Sequence, residues 1–255
     1  MNILAVEAHP DDVEFLCAGT LARLAALGHA ISILSVTGGE YGSTTLNPQQ
    51  VRELREREAR DAAAVIGAQF HLANGWDKHF IFNEPVRNRM VEIFRRIQPA
   101  IIFALSPRDY VLDHDFSSLL ARDAASAAST VTLQSGELDP APPLTYIPYL
   151  YYCEPMWQMD VFGDPVPSST YVDITQTMEV KKRMLACHVS QVEFMRGRFG
   201  EPDMAEIVES FGKRAGKAAG CVCAEGFRQH KAPPFPAEDV LVKLVGALTT
   251  DTRTD

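Results

Sequence analysis

Through about the first 130 residues, short apolar runs alternate with longer stretches whose apolar positions return every three to four residues. By this pattern residues 2–8 form a buried strand, and residues 13–27 form a helix that stops at Gly28. A second apolar, β-branched run covers residues 30–36, and the Gly-rich residues 37–43 read as a loop. A charged helix over 48–66 stops at Gly67, and a third short strand covers 69–72. A helix over 85–98 and the apolar strand 100–105 follow. Alternation of this kind, with strands apolar on both faces, predicts βαβ units around a parallel sheet.

Beyond residue 130 the pattern changes. Residues 134–143 are rich in Pro, Gly and acid and predict a surface loop, and 144–153 an aromatic strand. A helix is predicted over 179–195 and a last one over 237–248; residues 197–235 give no clear assignment, and the polar tail predicts fraying. No internal repeat or long linker interrupts the chain. The expectation is one α/β domain over 1–255, with a βαβ core over 1–130 and an elaborated C-terminal third over 131–255.

Composition narrows the function classes. An apolar content of 46% and a charged content of 22% are ordinary for a globular protein. A net charge of −9 provides no basic stripe and argues against nucleic acid as a partner. No apolar run is long enough to span a bilayer, and no basic segment followed by an apolar one opens the chain. The five cysteines are an odd number and scattered, which predicts reduced thiols and a cytoplasmic setting.

The chemistry gathers at His9-Pro10-Asp11-Asp12-Val13, where the first strand hands over to a helix. Open α/β sheets build their sites at the carboxyl ends of parallel strands. An imidazole and a carboxylate are good ligands for a first-row metal, and a second carboxylate beside them can move a proton. A second carboxylate–imidazole pair, Asp113-His114, follows the strand 100–105 just before another helix. Two such loops can converge on one ion.

Taken together, Ala8-His9-Pro10-Asp11-Asp12, Val13-Glu14 and Gly19-Thr20 resemble the signature of the LmbE/PIG-L family of zinc-dependent N-deacetylases. The resemblance continues through Arg55-x-x-Glu58, Ala62-Ala63 and Ile66-Gly67, then Asp113-His114, and more weakly His188-x-Ser190-Gln191. It implies a Rossmann-like three-layer sandwich with a mostly parallel sheet. It also implies a divalent metal, usually zinc with Fe(II) compatible, and hydrolysis of the acetamide of an N-acetylglucosamine-type sugar or conjugate, releasing acetate and a free amine. By position, His9, Asp12 and His114 match the metal ligands and Asp11 the general base that works on metal-activated water. The resemblance also implies self-association and a small-molecule N-acetyl sugar as partner.

One departure stands out. The family usually has His-Pro-Asp-His in its second motif, where this chain has Val111-Leu112-Asp113-His114. The ligand is kept, but the oxyanion-polarising histidine is a valine. Losing such a donor costs roughly 2.7–4 kcal/mol of transition-state stabilisation. His188 is the first candidate to replace it, followed by His79 and Tyr110.

Plainer roles compete at each position. Asp11-x-x-Glu14 also fits a capping box. Asp113 either supports the metal shell as a catalytic carboxylate or caps the next helix. Arg55 lies on a charged helix that reads equally as a solvated face, and Arg55 and Asp77 stand as substrate contacts only through the resemblance. His188 fits a packed structural histidine as well as a catalytic one. Cys221-Val222-Cys223 lacks the second pair of a structural zinc site, and the aromatic residues 146–152 suit a sugar pocket or a buried strand. Two other functions remain open: a weakened or inert sugar- or metal-binding relative, and a glycosyltransferase using Asp113-His114-Asp115 as a D-x-D motif.

Overall fold

Successive side chains of the inner strands go to opposite faces of one sheet, and the two sets build two separate cores. In β1 (Asn2–Glu7), Ile3 and Ala5 pack into one core while Leu4 and Val6 pack into the other. The same division holds in β2 (Ala30–Thr37), where Ile31 and Ile33 oppose Leu34 and Val36, and in β4 (Ile101–Ala104), where Ile101 and Phe103 oppose Ile102 and Ala104. These strands are buried on both faces, as their unbroken apolar runs require. The computed structural model describes residues 1–79, 83–199 and 203–250.

Helices cover both faces. On the first lie α1 (Asp12–Leu16), α2 (Ala18–Ala26) and α3 (Pro48–Ala64), joined later by α6 (Met178–Leu185), α8 (Met204–Ala219) and α9 (Val240–Val245). On the second lie α4 (Glu84–Ile97) and α5 (Leu112–Ala127). The remaining elements are β3 (Gln69–Gly75), β5 (Tyr149–Cys153), β6 (Thr170–Asp173), α7 (Val189–Phe199), β7 (Ala224–Gln229) and β8 (Leu248–Thr249). The result is the mixed α/β, three-layer arrangement with a mostly parallel sheet that the sequence predicts.

The strand order is β3-β2-β1-β4-β5-β7-β6-β8, parallel from β3 through β5 and antiparallel beyond. From β1 the chain winds outward to β3, then returns to place β4 on the other side of β1. The order therefore reverses between β1 and β4, the switch point at which open α/β sheets bind ligands.

Several boundaries differ from expectation, each for a local reason. The helix predicted over 13–27 breaks at Cys17, so that α2 starts afresh with the Gly19 and Thr20 amides donating to the Glu225 carboxylate of β7 at 3.0 and 2.7 Å. Lys181 holds the same carboxylate at 2.6 Å. The helix predicted over 179–195 breaks into α6 and α7, where Glu58 of α3 accepts from the Ser190 amide and hydroxyl at 2.8 and 2.6 Å. The aromatic strand shortens to β5, and the final helix to α9 followed by β8. The unassigned stretch contains α8 and β7. Within the tail, residues 251–255 lie outside the described residues. Among the described residues no helix is long and apolar enough to cross a membrane.

Candidate active site

Asp11 stands at the elbow between β1 and α1 with φ 129° and ψ −20°. This backbone conformation is rare outside glycine and costs on the order of 1–3 kcal/mol, which the surroundings must hold in place. Its side chain makes no cap bond to α1. Glu14 does not reach back either; it is buried, with its carboxylate 3.4 Å from His188 Nε2. The capping-box reading of Asp11 therefore fails, and Glu7 takes the Val13 amide instead at 3.0 Å.

What holds Asp11 is Arg55. Its guanidinium donates to Asp11 Oδ1 at 3.1 Å, to the Pro10 carbonyl, and to the Gly39 carbonyl at 3.1 Å. Arg55 is only 3% exposed, and its contact to Asp11 orients that carboxylate. This corrects the reading of this face of the charged helix as solvated. Burial pushes the Asp11 carboxyl up, Arg55 draws it back and Asp12 pushes it up again, leaving it at about 6. Such a carboxyl is poised to exchange a proton near neutral pH.

The next residue faces the other way. Asp12 Oδ2 accepts the amides of Ala8 and His9 at 3.1 and 2.9 Å, while Oδ1 lies 3.3 Å from His114 Nε2. His9 Nδ1 lies 3.7 Å from Asp12 Oδ2. One ligand atom each from His9, Asp12 and His114 falls within 4.8 Å of the others, so the two loops do converge. His114 reaches this point from the first turn of α5, which starts at Leu112, earlier than predicted.

Each imidazole is backed on its far side. His114 Nδ1 lies 3.2 Å from Asp109 Oδ2, although the two do not reach hydrogen-bond alignment. His9 Nε2 lies 3.4 Å from Asp77 Oδ1 and 3.5 Å from Asp113 Oδ2. His9, Asp77 and Asp113 also form a second group of ligating atoms within 4.8 Å. Backing carboxylates of this kind fix the orientation and basicity of metal-binding histidines. Asp113 makes no cap to α5, whose N-cap is Val111, and pairs instead with His9 and with Lys78 at 3.3 Å. Asp77 is 4% exposed, with its second oxygen on the Tyr41 amide at 3.3 Å. Its carboxylate therefore backs His9 and ties down the Tyr41 loop.

Charge tests whether a cation fits here. Asp11, Asp12, Asp77, Asp109 and Asp113 crowd the site and are buried, against the fixed cations Arg55 and Lys78. Burial alone lowers the affinity of His114 for a proton, but Asp12 and Asp109 outweigh it and raise its pKa to about 10. His9 goes the same way: burial opposes protonation, yet Asp113, Asp12 and Asp77 hold it well above its ordinary value. Two imidazole nitrogens and a carboxylate oxygen, set in an excess of negative charge, suit zinc, and Fe(II) by the same donors.

His188, first choice to replace the missing oxyanion donor, is fully buried beside Glu14 and cannot touch substrate. Its motif instead clasps the site from behind. Ser190 binds Glu58, and Gln191 donates to the Gly42 carbonyl at 3.1 Å. Tyr110 and His79 remain on the open side. The Tyr110 ring stands edge-on to His114 at 5.3 Å, and His79 Nε2 lies 3.0 Å from the Tyr41 hydroxyl. Trp76 donates to the same hydroxyl at 3.4 Å, so Tyr41, Trp76 and His79 form an exposed ring cluster near Asp77. Asp109, Lys78, Glu14 and Glu58 were assigned no such tasks from sequence, since only the fold reveals their partners. Cys221 and Cys223 are free thiols.

Gly39 is the tightest point of this scaffold. It has φ +64°, and a Cβ there would lie 2.0 Å from Arg55 Nη1. Gly39→Ala is expected to lose about 1–2 kcal/mol from the backbone alone and to displace Arg55 from Asp11. Urea denaturation with a parallel activity assay checks this; an unchanged midpoint and rate would contradict it.

Residues 4–125 match the model of the PIG-L family, GlcNAc-PI de-N-acetylase. The chain is 27% identical over 201 residues to 4-oxalmesaconate hydratase of Pseudomonas putida, covering 74% of each. It is 25% identical over 237 residues to diacetylchitobiose deacetylase of Thermococcus kodakarensis, covering 89% of this chain and 82% of the relative. The structure of N,N'-diacetylchitobiose deacetylase from Pyrococcus horikoshii shares the fold, with a TM-score of 0.74 at 21% identity over 90% of this chain and 83% of that one. The match to the PIG-L model runs from the first strand into the helix that carries His114, over residues 4–125.

Proposed function

We propose that this protein is a metal-dependent N-deacetylase that hydrolyses the acetamide of an N-acetylglucosamine-type sugar or its conjugate. The observation that carries the reading is Asp11, held in a strained backbone by Arg55, next to a convergent His9–Asp12–His114 ligand set. These three would hold the ion, zinc first and Fe(II) second. A divalent cation there supplies Lewis acidity, polarising the amide carbonyl and making a neighbouring water more acidic.

The remaining steps belong to side chains. Asp11 Oδ1 is fixed by Arg55, and the carboxylate takes a proton from the attacking water. The water oxygen bonds to the carbonyl carbon, the C–N bond breaks, and Asp11 returns the proton to the leaving nitrogen. Acetate and a free amine result. Tyr110 takes the place that Val111 leaves: its ring stands edge-on to His114 on the open side, and a phenol is protonated at neutral pH, so its hydroxyl can donate to the oxyanion. The exposed rings of Tyr41 and Trp76 offer faces on which a sugar can stack.

A panel of N-acetylated sugars assayed by amine release, with metal analysis of the same sample, tests this. Release that tracks metal content supports the reading. A metal-loaded protein that binds sugars but releases no amine would make it an inert relative instead.

A hydratase reading has one specific support, the likeness to 4-oxalmesaconate hydratase over 74% of each chain. The same base and ligand set would then add water across the double bond of an unsaturated acid. Loss of conjugated absorbance without amine release would favour it.

A further inference from the structure

A cavity of about 390 Å³ opens between the loop after β4, the end of β5 and the segment around the end of β7. None of His9, Asp12 or His114 lines it, so it is not the metal centre. It is that centre's neighbour. Arg108 lines the cavity, and the next residue, Asp109, backs His114. Ser106 fixes this turn, its hydroxyl donating to the Arg108 carbonyl at 2.7 Å and accepting the Arg108 amide at 3.1 Å.

The lining is cationic in a chain of net charge −9. Arg108, Arg228 and Lys231 all border the cavity, and among the described residues none of them has an ion-pair partner. Tyr152 and His230 of the lining bond to each other at 3.1 Å, and burial first, then the positive charge of Arg122, disfavours protonation of His230. The acid in the lining, Glu154, is already engaged by Gln158 and by the Ser168 hydroxyl. These three cations are exposed and outnumber the one lining carboxylate, so the concave wall carries a net positive field, and guanidinium forks match planar or tetrahedral oxyanions.

We propose that this cavity is an anion-binding subsite of the active site, taking a carboxylate or phosphate group carried by the substrate. The cavity volume suits a small acidic substituent. As a statement about substrate it rests on the hydrolase reading above, and it narrows that reading to acidic N-acetylated sugars or sugar conjugates.

Calorimetric titration tests it without requiring turnover. The ligands are N-acetylglucosamine, N-acetylmuramic acid, citrate and inorganic phosphate, and the proteins are wild type, Arg108→Gln and the double variant Arg228→Gln/Lys231→Gln. The acidic sugar should bind wild type about tenfold or more tighter than the neutral one. That advantage should vanish in the double variant and shrink at about 0.5 M salt, while binding of the neutral sugar stays unchanged. Whichever of citrate and phosphate binds wild type more tightly and loses more in the variants names the group. Equal binding of both sugars by wild type, or undiminished binding of the acidic sugar by the variants, overturns the subsite. If acidic-sugar binding behaves as expected but no amine is released, the subsite stands and only the hydrolase reading falls. If neutral sugars are hydrolysed with no preference for acid, the reverse holds.

Discussion

Asp11→Asn is expected to keep its metal and to lose roughly 10²–10⁴-fold in turnover, the usual contribution of a positioned general base. The amide oxygen of asparagine can still accept from Arg55, so the elbow keeps its anchor. What disappears is the capacity to take and return a proton. The wild-type pH profile carries the same signature. With Asp11 at about 6 in the metal-free fold, activity falls as the pH drops through that region, and a neighbouring dication moves this limb lower. Linkage gives a further sign. A carboxyl whose folded pKa lies above its ordinary value opposes folding once it ionises, so the variant should be no less stable than wild type at neutral pH. Metal analysis, rates and denaturation of the two proteins, side by side, check all of this. Equal rates at matched metal content would remove Asp11 from the role.

His114→Ala is expected to lose both the metal and stability. One of the three proposed ligands goes, and the buried carboxylates of Asp12 and Asp109 lose the group between them. Leaving buried charge unmatched costs on the order of 3–5 kcal/mol. His114→Gln keeps a polar group there and separates loss of ligation from misfolding, since it should fold and still bind metal poorly. In the metal-free wild type, the raised pKa of His114 makes its protonated form a source of stability. That contribution is complete below the ordinary imidazole value and is lost as pH rises through about 10. Over the same window a cation has less proton to displace, so metal affinity should rise with pH. Metal titrations and apo-protein melts across that range measure both; apo stability that climbs with pH there would contradict the assignment.

The core of the site is legible in the sequence because its parts are local. His9, Asp11 and Asp12 fall within one strand-to-helix turn, and the apolar runs before His9 and before Asp113 mark two strand ends. The strand order is not local, so the reversal between β1 and β4 that brings the two turns together appears only in the fold. Arg55 misleads for a related reason. Helix α3 is so charged that periodicity cannot tell its inward arginine from its solvated ones, and only the Gly39 contact shows where it points. Glu58 and Ser190 each lie in a segment that resembles the family, yet nothing in either segment says that they bond to each other across 132 positions. The C-terminal third was least legible. Its strands are antiparallel and short, and α8 and β7 carry no motif.

Anomalous diffraction at the zinc edge, from crystals grown with zinc, is the most direct measurement. A peak should lie about 2.0–2.2 Å from a His9 nitrogen, an Asp12 oxygen and a His114 nitrogen together. A peak seated instead among His9, Asp77 and Asp113, or none at this end of the sheet, would contradict the proposed centre.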